Sequence, residues 1–104
     1  MTTIEEIITK HDLVCKDARD LLIDRGEEYA RKDDELKTFK AVGNDTQITP
    51  ANIALVLLGI KYHRILEQMN KGEIPRDSFR DLINYCVFCE LLLEQEQGIY
   101  EGSR

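Results

Sequence analysis

Charged and amide side chains at helical spacing are the clearest candidates for a binding site in this chain. Asp77, Asp81 and Asn84 follow one another at intervals of four and three residues, which stacks them on one face of a helix. Lys61 and Arg64 lie on the preceding helical segment, and counting outward from the loop between the segments places Arg64 level with Asn84. Carboxylates suit a divalent ion and the two cations suit phosphate. The spacing therefore predicts a charged cluster of the kind at which ligand sites often lie.

The same residues also fit a structural role. An ion-pair network between two helices would use the same charges, and an Asp at the start of a helix is often only a cap. The column continues along its face into Phe88 and Leu92, which predicts that another helix or a second subunit covers it. Both interpretations stay open on residue pattern alone.

Apolar periodicity predicts an all-α fold, a compact bundle of about four helices without a convincing strand. The expected helices span residues 3 to 26, about 33 to 40, 50 to 71 and 76 to 97. The stretch AVGNDTQ, 41 to 47, is predicted to be a loop because it contains the turn residues Gly-Asn-Asp. The whole chain, 1–104, is expected to form a single helical domain with a frayed tail from about residue 98.

Capping residues set the expected helix ends. Thr3 with Glu6 forms a capping box, and Thr49 followed by proline opens the third helix. Asp77 or Ser78 is expected to cap the fourth helix. The loop GEIPR between the third and fourth helices is short, so these two helices should form a long antiparallel hairpin.

The two long helices each have one half that is apolar nearly all round. Residues 53 to 60 and 85 to 93 are these halves, and the hairpin sets them side by side, so both are expected to be enclosed. Gly59 costs about 1 kcal/mol in a helix interior relative to Ala, which predicts a close helix contact there. The inward residues of the fourth helix are expected to be Phe79, Leu82, Ile83 and Cys86.

Composition narrows the function classes. The net charge is −6 and no Lys/Arg run exceeds two residues, so a nucleic acid polymer is an unexpected partner. No apolar run reaches membrane-spanning length and no signal-type segment begins the chain, which predicts a cytoplasmic protein of a bacterial cell, away from membranes. A helical chain of this size builds only a small core, so a homo-oligomer, with a dimer favoured, is expected.

The three cysteines are predicted to be inert. Cys86 and Cys89 have a CxxC spacing, but they lie within an apolar helix and have no basic neighbour, and Cys15 is expected to behave in the same way. An odd cysteine count without a framework spacing also favours a reducing compartment.

Three motifs in order carry a resemblance to a known family. The stretches RGEEY, ITPANIALVLLGIKYHR and DSFRDLINY resemble small phage and prophage helical proteins of the nucleotide-modification-associated type. The similarity covers roughly residues 25 to 93. The positions it implies are Arg25, Gly26, Tyr29, Lys61, Arg64, Asp77, Ser78, Asp81 and Tyr85. The resemblance implies a phage-type context and a nucleotide-related function.

A more distant likeness is to MazG-type all-helical nucleoside triphosphate pyrophosphohydrolases. Asp81 would match the Asp of their Glu-x-x-Asp helix, which binds Mg²⁺ on the triphosphate. Ser78 stands where the partner Glu should be, and Lys61 and Arg64 replace helix glutamates, so a full metal cage is not expected.

Two hypotheses follow, and whether the protein is an enzyme stays open. In the first, Lys61 and Arg64, with the further ligand residues Arg25, Tyr29 and Asn84, bind a nucleotide. Asp77 and Asp81 then hold Mg²⁺ or Mn²⁺ or orient water, and the segment from Gly26 to Phe39 closes over the base. In the second, the protein is a non-catalytic phage accessory protein that self-associates and binds a host or phage protein.

Overall fold

A computed structural model describes residues 1–28 and 36–99 of the chain. It contains four helices, α1 (Ile4–Glu28), α2 (Lys37–Thr46), α3 (Pro50–Asn70) and α4 (Arg76–Glu96). No strand occurs among these residues, which confirms the predicted all-α bundle.

The predicted hairpin organises the molecule. Helices α3 and α4 pack most closely, α1 packs on α4, and α2 packs on α3. Within the described ranges α1 contacts neither α2 nor α3, so the helices follow the spatial order α1, α4, α3, α2. Each outer helix therefore rests on one helix of the hairpin.

Local capping signals place the starts of α1 and α3 as predicted. The backbone N–H of Glu6 donates to Thr3 Oγ1 at 3.2 Å, and that of Asn52 donates to Thr49 Oγ1 at 3.4 Å. Helix α1 runs two residues past the expected end at Gly26. Helix α3 ends one residue before the expected Lys71, ahead of Gly72, whose positive φ of 78° suits glycine.

The predicted position of α2 was wrong. Residues 41 to 46, expected as a loop, are helical, and Gln47 in the left-handed conformation ends the helix. Gly43 is buried where α2 turns into α3, and a Cβ there would lie 2.7 Å from the carbonyl oxygen of Ile48. This glycine is therefore present for close packing and not for a turn. Residues 33 to 35 of the predicted helix lie outside the described ranges.

The predicted cap of α4 was also wrong. Pro75 occupies the N-cap position and no side chain bonds to the first turn. Ser78 is buried instead and donates its hydroxyl to Gln68 Oε1 at 2.7 Å, which joins α4 to α3. Asp77 lies exposed in the first turn, where a negative charge suits the helix dipole.

The buried core is small. Leu36, Ala51, Ala54 and Leu92 form its centre, and Phe39, Tyr85 and Phe88 pack edge to face or tilted beside it with ring centroids 5.4 to 6.2 Å apart. The radius of gyration is 15.7 Å, whereas a compact domain of this length has about 13 Å. None of the described helices combines the length and hydropathy needed to cross a bilayer.

The expected enclosure of the two apolar halves was wrong for the single chain. Leu55, Val56 and Ile60 on α3 are exposed, as are Val87 and Leu93 on α4. Gly59 faces open space, since nothing lies within 4 Å of where its Cβ would be.

The inward face of α4 also differs from the expected one. Phe79 and Cys86, predicted to point inward, are exposed, and Leu82 and Ile83 are half-buried. Asp81 and Asn84 are buried instead. The polar column is thus the inner face, and α1 and α3 are the elements that cover it.

Candidate functional site

The carboxylate of Asp81 is the centre of the candidate site. Arg25 Nη1 donates to its Oδ1 at 2.9 Å, and Lys61 Nζ donates to its Oδ2 at 3.4 Å. The Asp81 side chain is 9% exposed, that of Lys61 18% and that of Arg25 50%. One buried carboxylate therefore joins the end of α1 and the middle of α3 to α4.

Helix geometry accounts for this meeting point. Lys61 lies 11 residues, about three turns, from the start of α3, and Asp81 lies 15 residues, about four turns, from the end of α4. Lys61 is therefore about one turn deeper in the hairpin than Asp81, and its long side chain reaches the carboxylate. Helix α1 crosses α4 and brings Arg25, in its last turn, to the same carboxylate. The Lys61 ammonium also lies 5.8 Å from the centroid of the Tyr85 ring.

A second polar network ties α1 to α4. The buried Arg80 donates from Nη2 to Asp17 Oδ2 at 3.4 Å and from Nη1 to the carbonyl oxygen of Arg76 at 3.2 Å. Asn84 Nδ2 donates to the carbonyl oxygen of Ala18 at 3.0 Å. Asn84, predicted as a ligand residue, thus fixes the helix contact. Arg80 and Asp17 were not predicted as site residues, because no spacing in the sequence distinguishes a buried arginine from a solvated one.

Two of the predicted site residues lie away from Asp81. Arg64 is exposed and forms no ion pair with a described residue, and Asp77 is exposed at the start of α4. Arg64 follows Lys61 by three residues, a rotation about 60° short of a full turn, which carries it off the face that contacts α4. Tyr29 lies outside the described residues.

The donor set at Asp81 suits cations from the protein better than a bound metal. Both oxygens of its carboxylate already accept hydrogen bonds from Arg25 and Lys61. Among the described residues no three His, Cys, Asp or Glu side chains gather closely enough to hold a metal ion. Asp77 is exposed at the start of α4 whereas Asp81 is buried, and binding of Mg²⁺ or Mn²⁺ by these two residues stays a prediction.

The cysteines differ in exposure. Cys15 and Cys89 are half-buried, whereas Cys86 is exposed, so the prediction that Cys86 is buried was wrong. Burial raises the pKa of the Cys89 thiol, with a smaller contribution from Cys86. Cys89 is therefore a poor nucleophile at neutral pH.

The chemistry open to this arrangement follows from its charges. Two cations share one carboxylate, and the cluster of Arg25, Lys61 and Asp81 has a formal charge of +1. Every buried side-chain nitrogen or oxygen among the described residues has a hydrogen-bond partner. The cluster therefore works as a satisfied structural network, and its surplus positive charge, with Arg25 half exposed, is the one feature that suits an anion.

Comparison of the chain with protein-family models, curated proteins and solved structures found no match.

Proposed function

We propose that the protein is a non-catalytic helical interaction protein that works by self-association and by contact with other protein surfaces. The main observation behind this proposal is that the first half of α1 is not covered by the other described helices. Ile4, Ile7 and Ile8 are all more than half exposed. They lie on the same stripe of α1 as Ala18, which is buried against α4.

Helix α1 favours this proposal because it extends well beyond the part that contacts α4. Its C-terminal half is fixed to α4 through Asp17, Ala18 and Arg25. Residues 1 to 13 are exposed throughout. A helix rarely forms stably in water without packing of its apolar stripe, so a partner surface on this half would supply the missing contact.

A groove beside the stripe supports the same function. It has a volume of about 600 Å³ and is lined by apolar side chains that include Ile7, Val14, Cys15 and Ile83. Glu6, Lys10 and His11 also line it. An apolar groove with a few charged side chains among its lining has the composition of a protein contact site. The phage-type context of this function is supported by the resemblance of the three sequence motifs.

Thermal unfolding tests this function directly, because association makes the midpoint depend on protein concentration. We expect the midpoint, followed by circular dichroism, to rise over a hundredfold range of protein concentration. Nucleotides at millimolar concentration should leave the midpoint unchanged. A midpoint that is independent of concentration but rises with a nucleotide would overturn the proposal.

A second candidate function, nucleotide binding, is favoured by the surplus positive charge at Asp81. In this candidate Arg25 and Lys61 contact phosphate oxygens, with Arg25 as a planar fork and Lys61 as a point charge. Tyr85, beside Lys61, offers an aromatic ring near the same place. Any Mg²⁺ or Mn²⁺ would arrive bound to the phosphates, since the described residues offer no cluster of metal ligands.

A thermal-shift screen with ribo- and deoxynucleotides, with and without Mg²⁺ or Mn²⁺, tests this candidate. A ligand at one hundred times its dissociation constant stabilises by about 2.7 kcal/mol, which raises the midpoint of a domain this size by roughly 10 °C. The shift should disappear in Arg25→Ala and persist in the matched control Arg64→Ala. A shift that is equal in both variants, or none at all, would exclude phosphate binding at Asp81.

A further inference from the structure

Apolar residues follow a heptad-type spacing on the outer side of α3. Leu55, Gly59, Tyr62, Leu66 and Met69 recur at intervals of four, three, four and three residues. All five are exposed in the single chain. This alternation is the pattern by which one helix packs along another in a bundle or coiled coil.

Helix α4 carries a matching row. Phe79, Leu82, Cys86, Cys89 and Leu93 recur at intervals of three, four, three and four residues. Of these, Phe79, Cys86 and Leu93 are exposed and the other two are half-buried. Cys89 also packs against the core around Leu92, whereas the eight exposed residues of the two rows are uncovered in the described part of the chain.

Both rows lie on the same side of the hairpin. On α3, Leu55, Tyr62 and Leu66 each directly follow a residue that faces α4 or is buried beside it, namely Ala54, Lys61 and Ile65. One residue step is a rotation of about 100° around the helix.

The same offset holds on α4. Phe79, Leu82 and Cys86 directly follow Ser78, Asp81 and Tyr85, all of which contact α3. Because the two helices are antiparallel, the same rotation about each axis brings both rows to one side. We call the face formed by these two rows the outer face.

Helices α1 and α2 leave the outer face free. Arg80 and Asn84, which contact only α1 among the other helices in the hydrogen bonds described, directly precede Asp81 and Tyr85, which face α3, so α1 lies on the opposite side. Phe39 of α2 packs on Phe88, which is also rotated toward that side. The hairpin is thus two helices of a four-helix arrangement with one apolar face unfilled.

We propose that a second copy of this chain packs its outer face against this one, so that two hairpins form an intermolecular four-helix bundle. The inference rests on the proposed self-association and names its surface. A two-fold dimer uses the same face twice, and two apolar helix rows on a hairpin are self-complementary in composition.

Side-chain sizes along the face favour a copy over an unrelated partner. Gly59 and Cys86 lie at one level of the hairpin and form a small layer, and Leu66 and Phe79 form a large layer about two turns away. Consider a two-fold axis that lies in the contact plane, runs perpendicular to the helices and passes near Tyr62, between these layers. It sets the small layer of one copy against the large layer of the other. Alternating large and small residues across a contact is what close packing requires.

The surface area supports the same occupant. The accessible surface is 7934 Å², about 1,900 Å² above the roughly 6,000 Å² expected for a folded monomer of this mass. A standard interface buries about 800 Å² per partner, and obligate homodimers bury more. The outer face and the exposed first half of α1 both contribute to this excess.

The test is the solution mass of the full chain by sedimentation equilibrium. We expect twice the chain mass of 12.0 kDa for the wild-type protein. Tyr62→Glu should raise the dimer dissociation constant at least about a hundredfold, because each copy brings a charge into an apolar contact. Ile60→Glu is the matched control, since Ile60 lies on the same helix with 51% exposure against 55% for Tyr62 but points to the other side. It should remain dimeric.

A further variant guards against a loss of folding. Gly59→Leu meets no atom of its own chain within 4 Å at Cβ, so helicity should be retained while the small layer of the contact is filled and the dimer weakens. A wild-type monomer at all concentrations would overturn both the outer-face dimer and self-association. A dimer broken by Ile7→Glu but not by Tyr62→Glu would overturn the outer-face assignment alone and leave the proposed function standing.

Discussion

The two faces of α4 differ in polarity in the opposite sense from a typical surface helix: the buried face is polar and the exposed face is apolar. The inner face buries Asp81, Asn84 and Ser78, all hydrogen-bonded, whereas the outer face exposes Phe79 and Leu93. In most folded globular proteins the polar residues lie mainly on the surface and the large apolar residues lie mainly in the interior. The difference indicates that polar contacts join the helices of one chain and that the apolar surface is left for a partner.

The largest effect is expected on the inner face, from Asp81→Ala. It leaves Lys61 buried and Arg25 half exposed without their carboxylate, so the free energy of unfolding should fall by about 3 to 5 kcal/mol. Urea denaturation at one fixed protein concentration measures this loss. Asp77→Ala, a change of the exposed acid on the same helix, should cost less than about 1 kcal/mol. Equal losses in the two variants would contradict the structural role of Asp81.

A smaller effect on the same face is expected from Asn84→Ala. The carbonyl oxygen of Ala18 loses the amide that donates to it, and a small void remains, which should lower the free energy of unfolding by about 1 to 3 kcal/mol. Asn52→Ala, at an exposed site whose backbone N–H makes the cap bond, should change it by less than about 0.5 kcal/mol. A neutral Asn84→Ala would mean that the contact between α1 and α4 does not depend on this hydrogen bond.

Gly59→Ala tests whether a residue of the outer face contributes to the stability of the single chain. In a Tyr62→Glu background, where the chain should be monomeric, the free energy of unfolding should rise by about 1 kcal/mol because alanine favours the helix. The buried Gly43 gives the opposite expectation. Its Cβ would lie 2.7 Å from the Ile48 carbonyl oxygen, so Gly43→Ala should destabilise. Destabilisation by Gly59→Ala in the monomeric background would show that the glycine is needed within the single chain.

The smallest effect is expected from Arg64→Ala. Arg64 is exposed and pairs with no acid among the described residues, so the free energy of unfolding should change by less than about 0.5 kcal/mol. Denaturant titration beside Asp81→Ala on the same day gives the contrast. A loss of unfolding free energy comparable to that of Asp81→Ala would show that Arg64 belongs to the ion-pair cluster around Asp81.

Local signals were sufficient to predict much of the fold. The caps at Thr3 and Thr49 and the short loop before α4 depend on a few neighbouring residues, and all three features were confirmed. Helix α2 was misplaced because it contains few large apolar residues and because Gly43 is required by a tertiary contact. A glycine chosen for packing cannot be distinguished by sequence from one chosen for a turn.

The candidate site was predicted in part. Counting along the hairpin placed the pair of Lys61 and Arg64 opposite the polar column, and in the structure it is Lys61 that contacts Asp81. The family resemblance named Arg25, which contacts the same carboxylate. Arg64 was misplaced because three residues do not complete a helical turn. The apolar halves were expected to be enclosed, but hydrophobicity alone does not distinguish burial within one chain from burial against a second chain.

Reaction of the native Cys86 thiol with a maleimide, located by mass spectrometry, tests most directly whether the outer face is covered in solution. Cys86 lies in the middle of that face, and Cys15 on α1 serves as the internal reference. The account predicts slow labelling of Cys86 in the wild-type protein, fast labelling in Tyr62→Glu, and the same rate for Cys15 in both. Equally fast labelling of Cys86 in the two proteins would contradict a covered outer face.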